Sequence, residues 1–229
     1  MSTTARSEGE GASHVAVPVE PTPPGYRAAK RALDIGVAGT ATLASSPLWL
    51  AIALAVRIDS PGPVLFRQER IGLGGRPFTV LKFRSMHVHA DEDAHRRYVS
   101  RLMGRRRAPE PDTWVPIAND ERVTRIGRFL RRTHLDELPQ LVNVLRGEMS
   151  LVGPRPPIPY EVELYEPWHL RRLAVLPGLT GLWQANGWGR LSFDQGVRLD
   201  LEYVERRSFG LDLRILGRTA WQVITGRQF

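Results

Sequence analysis

From Ile35 to Val56 the chain reads "IGVAGTATLASSPLWLAIALAV", 22 residues without a charge. That length suffices for a membrane-spanning helix, so the fold must provide an apolar environment for it. Ser45, Ser46 and Pro47 interrupt the run near its middle. Proline removes a backbone hydrogen bond and its ring clashes with the preceding turn, so a helix kinks or breaks there. Basic residues flank both ends: Arg27, Lys30 and Arg31 before, Arg57, Arg67 and Arg70 after. The tendency of such residues to stay on the cytoplasmic side asks for both flanks on one side. A helix that enters, breaks at Ser46-Pro47 and returns meets both demands over about residues 33–56. Each arm of about a dozen residues rises ~18 Å, short of a ~30 Å hydrocarbon core. A kinked span and a buried core helix are the alternatives.

The 229 residues leave room for one sizeable core beyond this segment. Net charge is +8, and of 32 basic residues only Lys30 and Lys82 are lysines, which leaves 30 arginines. Arginine's planar fork suits phosphate, so either anionic partners or a coding bias accounts for the excess. Lys82 follows a glycine-rich turn, where a compact ammonium suits a phosphate, though chance retention explains it equally. The absence of cysteine excludes disulfides, thiolate chemistry and Cys-based metal sites. Residues 1–25 are polar with scattered prolines, and are expected to form a disordered or extended tail without a cleavable signal. Residues 26–229 are then one catalytic unit.

Beyond the apolar run, two β-type stretches flank Gly72, Gly74 and Gly75, which predicts a hairpin. Residues 87–118 read as a linker or an exposed helix and loop. His87, His89 and His95 there sit beside three acids, more in keeping with a solvated face than with a metal site. Val123, Ile126, Phe129 and Leu130 recur at helical spacing among arginines and predict an amphipathic basic helix. Leu135, Leu138, Leu141, Val142 and Leu145 form a second apolar stripe, closed by Gly147, with Pro139 in its first turn and Asp136 as a candidate N-cap. "LPGLTGLWQANGW" reads as a turn-rich loop, and residues 193–229 as two further amphipathic helices. No Walker-type or dinucleotide-binding glycine pattern is present.

Asp136 and Glu137 carry the chemical question. A helix start explains both acids as cap and dipole partner. Their surroundings offer a second explanation. Adjacent helical residues point ~100° apart, which suits two different jobs better than a symmetric dyad. Arg131 lies five residues upstream, and Arg155 follows in a segment stiffened by Pro154, Pro156 and Pro157. Carboxylates to attack or to hold a metal, with arginines to clamp oxygens, are the parts phosphoryl transfer needs.

"KRALDI", the Ser46-Pro47 break, "DSPGPVLFRQERIG", "FTVLKFRSM", "LDELPQLVNVLRGEMSLVGPRP" and "LPGLTGLWQ" appear in one order. From about Lys30 onward they resemble the monotopic polyprenyl-phosphate phosphoglycosyl transferases, the bacterial sugar transferases. The resemblance implies an α+β, helix-rich fold: a re-entrant membrane helix broken at Ser46 and Pro47, a small hairpin, and amphipathic interfacial helices around the active site. It places the chain in the cytoplasmic (inner) membrane as a monotopic protein, with its catalytic domain on the cytoplasmic face. It implies Mg²⁺ and two-step transfer of a hexose-1-phosphate from a UDP-sugar to undecaprenyl phosphate through an aspartyl-phosphosugar intermediate, the initiating step of surface polysaccharide synthesis. Asp136 would be the nucleophile, and Glu137 its neighbour in holding Mg²⁺ or handling a proton. Lys82, Arg131 and Arg155 would bind phosphates or the nucleotide. The C-terminal third resembles the branch handling glucose or galactose, whose larger relatives carry further membrane helices upstream. Trp188 departs from that branch, with the nearby base at Arg190.

The rival readings are a membrane-tethered nucleic-acid-binding protein and a noncatalytic membrane scaffold. The first predicts a continuous basic stripe with interleaved aromatics, whereas basic and acidic residues alternate here, which favours no nucleic-acid partner. The second predicts that Asp136→Asn and Glu137→Gln leave function intact.

Overall fold

The computed structural model describes residues 15–88, 120–187 and 191–225. Helix α1 (Pro24–Ala44) and helix α2 (Ser46–Asp59) hold the apolar run and meet at Ser45 with a bend of 61°. The hydroxyls answer for the broken ladder: Ser45 Oγ donates to the Ala41 carbonyl (2.6 Å), Ser46 Oγ to the Leu43 carbonyl (2.8 Å), and the Trp49 indole donates to Ser45 Oγ (2.9 Å). Pro47 sits in the first turn of α2, where no N–H is required. Among the described residues no single helix is long and apolar enough to cross a membrane, while α1 and α2 together are, by length and composition.

Strands β1 (Leu65–Ile71) and β2 (Pro77–Phe83) form the expected antiparallel hairpin around the glycine turn, with Lys82 opposite Phe66. Next come α3 (Arg125–Thr133), a 3₁₀ turn (Leu135–Glu137) and α4 (Gln140–Arg146), which ends at Gly147 as expected. The apolar stripe of α3 is narrower than its spacing suggested. Leu130 is buried, but Phe129 is 56% exposed, and Val123 lies ahead of the helix, bridged to Met86. A short parallel pair, β3 (Ser150–Val152) with β4 (Gly178–Thr180), and helix α7 (Leu182–Gly187) occupy the stretch expected to be a turn-rich loop. Between β3 and β4 lie the single turns α5 (Pro159–Val162) and α6 (Pro167–Leu170). Helices α8 (Phe193–Arg206) and α9 (Phe209–Thr225) complete the chain as expected.

Residues 15–23, within the segment expected to be a tail, run extended and are bonded to the body: Val17 N to the Gly74 carbonyl (3.2 Å) and Glu20 N to the Ala174 carbonyl (2.9 Å). Val15 and Val17 pack beside Ile71, Val162 and Leu173. The ordered unit therefore starts upstream of residue 26. His89, His95 and most of 87–118, together with Trp188 and Arg190, lie outside the described residues.

Two apolar clusters meet at the 3₁₀ turn. One joins Leu141 and Val144 of α4 to Val80, Leu151, Val152, Tyr203, Val204, Ile215 and Ala38. The other joins Ile52 and Val56 of α2 to Phe83 and Leu130. Leu138, directly after the turn, packs against both. The second helix of the bent pair, α2, is thus part of the floor beneath the acid pair.

Candidate active site

The acid pair is presented by a tight reversal. Thr124 caps α3 by accepting from Gly127 N (3.0 Å), and Asp59 at the end of α2 accepts from Ile126 N (2.9 Å). His134 ends α3 in the left-handed region (φ 55°), unusual for a residue with a Cβ, and throws Leu135–Glu137 into the 3₁₀ turn. Asp136 is therefore not the N-cap of α4. That helix begins at Gln140, behind Pro139, and no side chain caps it. Pro139 has no N–H to return to Leu135, so the chain stays in tight turns: Leu138 N bonds the Leu135 carbonyl (3.3 Å) and Leu141 N the Leu138 carbonyl (3.0 Å).

Asp136 is only 7% exposed, and among the described residues its carboxylate accepts no hydrogen bond. Burial pushes its pKa above the usual carboxylate range. The charges of Lys82 and Arg131 pull it back, and that of Glu137 adds to the rise. Glu137 behaves oppositely. Burial works against its charge, but the Lys82 ammonium, 2.6 Å from Oε1, outweighs burial and holds it below that range, with help from His134 and Arg155. The two neighbouring carboxylates thus differ: one accepts no hydrogen bond among the described residues and has a raised pKa, the other is ionised and paired.

Arg131 is held by its Nε donating to Ser85 Oγ (2.9 Å), with Asp136 and Asp120 favouring a charge that burial disfavours. Arg155 forms an ion pair with the buried Glu161 (3.2 Å), and its field reaches Glu137. The structure therefore gathers Asp136, Glu137, Lys82, Arg131 and Arg155, the set singled out from the sequence. Lys30 is elsewhere, bonded to Asp212 (3.0 Å), Tyr203 (3.2 Å) and the Val152 carbonyl (2.9 Å).

Two supports escaped the sequence reading. Asn143, fully buried on α4, accepts from Leu81 N (3.1 Å) and donates to the Thr79 carbonyl (2.7 Å). It locks α4 to β2, one residue from Lys82 on the strand and six from Glu137 on the chain. An amide set among the apolar residues of "LVNVL" was its signal. Ser85 fixes Arg131, and nothing in its local pattern marks it. Gly127 allows this contact: a Cβ there would lie 2.0 Å from the Ser85 carbonyl oxygen, so only glycine lets α3 pack against the Ser85 backbone.

The sequence profile of the family described as bacterial sugar transferase matches residues 25–226. This chain is a bacterial sugar transferase. The UDP-glucose:undecaprenyl-phosphate glucose-1-phosphate transferase of Caulobacter vibrioides is 42% identical over 204 residues, covering 86% of this chain and 70% of that protein. The protein of the same name in Escherichia coli is 43% identical over 206 residues, but only 40% of its length is spanned. The exopolysaccharide production protein ExoY of Rhizobium meliloti is 41% identical over 202 residues, 87% of each chain.

In this transferase the donor set fits a hard divalent cation of the kind the family resemblance implies. Mg²⁺ takes one or two carboxylates and fills its remaining positions with water and substrate phosphate. Asp136 and Glu137 are two such carboxylates, and the first lacks a hydrogen bond among the described residues. No group of three or more His, Cys, Asp or Glu is placed to hold a metal among the described residues, so a dedicated protein cage is absent there. His87 belongs to no such group.

Proposed function

We propose that this transferase moves a hexose-1-phosphate from a UDP-sugar to undecaprenyl phosphate, releasing UMP and leaving a diphosphate-linked lipid sugar. The observation that carries the reading is the buried Asp136 carboxylate, unbonded among the described residues and facing the charges of Lys82 and Arg131. An Asp136 oxygen attacks the phosphorus that bears the sugar. The bond from that phosphorus to the bridging oxygen breaks, and UMP leaves with the electron pair. An oxygen of the lipid phosphate then attacks the same phosphorus, the aspartyl bond breaks, and the carboxylate is restored. Lys82 and Arg131 neutralise charge gathering on the transferred phosphoryl oxygens, and Arg155 holds the donor's phosphates or nucleotide. Glu137 and Asp136 are the residues that would hold Mg²⁺, which supplies charge neutralisation for the nucleotide phosphate. Glu137, ionised and paired to Lys82, keeps that ammonium directed at the site.

The names of the relatives support glucose as the donor sugar, and that of "Galactosyl transferase CpsE" from Streptococcus agalactiae, 40% identical over 199 residues and spanned over 42% of its length, supports galactose as a second choice. We place the α1–α2 hairpin in the cytoplasmic leaflet of the inner membrane. The acceptor's phosphate lies at the bilayer surface, and α2 forms part of the floor under Asp136. The deciding experiment incubates purified chain in nanodiscs with undecaprenyl phosphate, Mg²⁺ and a panel of UDP-sugars. The expected result is UMP release with UDP-glucose or UDP-galactose and, without acceptor, a phosphohexose adduct by intact mass that Asp136→Asn cannot form. Folded protein that releases UMP from no UDP-sugar overturns the proposal.

A further inference from the structure

The segment carrying Arg155 has an unusual backbone. Three of its four residues from Pro154 to Pro157 are prolines, and each of the four successive carbonyls is taken by a donor from another element. Gly178 N bonds the Pro154 carbonyl (2.9 Å), Arg172 Nη2 the Arg155 carbonyl (3.2 Å), Arg70 Nη1 the Pro156 carbonyl (2.9 Å) and Ile71 N the Pro157 carbonyl (2.9 Å). Two of these donors are buried guanidiniums, themselves braced. Arg70 also donates twice to Gln68 Oε1 (3.0 and 2.6 Å), and Arg172 donates to Asp200 and to the Tyr165 hydroxyl (2.8 Å). Glu161 then closes the frame from the other side, accepting from Ile158 N (3.1 Å) and pairing with Arg155.

Arg172 has a buried carboxylate partner in Asp200, but Arg70 is buried with only Gln68 and one main-chain oxygen as partners among the described residues, a costly way to stabilise a loop. Burial lowers the pKa of Arg70 to about 10, and the like charge of Arg155 adds to the fall. A hydrophobic pair of similar volume would often stabilise the fold as well or better. The arrangement makes sense if the gain is in geometry. An arginine that must meet a phosphate has several soft side-chain torsions, and fixing its backbone removes the largest source of wander.

We propose that Arg70 and Arg172 are positioning residues that act through the carbonyls of Pro156 and Arg155 to aim the Arg155 guanidinium at the donor's phosphates. This rests on the phosphoglycosyl transfer reading above. A misplacement of about 1 Å costs up to ~10²-fold in rate, so a loosened clamp lowers kcat/KM for the UDP-sugar without touching Asp136.

The test is a double-mutant cycle on UMP release, with Arg70→Lys, Arg172→Lys and Pro156→Ala each made in wild type and in Arg155→Ala. Pro156→Ala loosens the segment while leaving both buried charges in place, so it reports even if an arginine variant fails to fold. In wild type each is expected to lower kcat/KM for the UDP-sugar by about tenfold or more. In Arg155→Ala the same changes are expected to cost no more than about twofold, because the group being aimed is gone. Equal losses in the two backgrounds overturn the proposal and leave a purely structural clamp. A wild type that releases no UMP defeats the transfer reading instead, so the two failures are distinguishable.

Discussion

Asp136 occupies a position that works against its own charge, and this makes separable predictions about stability and rate. Because burial raises its pKa, the folded chain holds the proton more tightly than the unfolded one. Ionisation then favours unfolding. Stability falls as pH rises from the unfolded value of ~3.9 through the raised folded value, above which the whole cost is present. Asp136→Asn removes that cost, so its melting temperature at pH 7 is expected above wild type while the phosphohexose adduct disappears. A melt several degrees below wild type would mean that the carboxylate is structural. The rate carries the same sign. An attacking carboxylate must be ionised, so the acid limb of adduct formation is expected above the ordinary carboxylate range. Lys82→Met withdraws a charge that favours the ionised form and is expected to move the limb to still higher pH. A limb that stays in place removes Lys82 from the field at Asp136.

At the scale of elements, the bent α1–α2 pair shows two faces. Ile52 and Val56 of α2 are buried against Phe83 and Leu130, while Leu43 is 78% exposed and Leu50 74% exposed. On a protein surface in water, Leu50→Asp falls within about ±0.5 kcal/mol; in hydrocarbon an aspartate costs ~2.5–3.5 kcal/mol. Leu50→Asp is therefore expected to shift the chain from the membrane pellet to the supernatant after carbonate washing, with the fold intact. Ile52→Asp is expected to unfold the acid-pair floor. Equal pelleting of Leu50→Asp and wild type would take this face out of the bilayer. The same elements explain what could be seen in the sequence. Pro47 removes a hydrogen bond by covalent structure, so the break was legible; the pivot at Ser45 and its bond from Trp49 depend on rotamers and were not. The glycine hairpin and the last two helices follow from periodicity. The β3–β4 pair did not, because three-residue strands are too short to show alternation. Nor did the partners of Ser85, Arg70 and Arg172, since a buried arginine looks like any other in a chain with thirty of them.

Across the described residues the proposed water–lipid boundary does not separate α1 from the rest, because the polar start of α1 is fastened into the core. Lys30 pairs with the fully buried Asp212 of α9, Arg31 caps α4 by donating to the Val144 (2.6 Å) and Leu145 (2.7 Å) carbonyls, and Asp34 accepts from Ser150 Oγ (3.0 Å) and Leu151 N (2.9 Å) on β3. Residues 30, 31 and 34 share one side of the helix by their spacing, and the apolar run begins immediately after them. The start of α1 is thus tied to α4, the helix that follows the acid-pair turn, and to β3 and α9. Removing one end of a buried pair costs about 3–5 kcal/mol because the remaining charge is stranded. Among the described residues Lys30→Met leaves the Asp212 carboxylate with only the hydroxyls of Tyr26 (2.9 Å) and Tyr203 (2.8 Å), and is expected to lower the melting temperature by roughly 10 °C. Adding Asp212→Asn removes the stranded charge and is expected to recover most of that loss. If the double variant melts no higher than Lys30→Met alone, the pair is not what joins the hairpin to the core, and α1 is held by its apolar contacts.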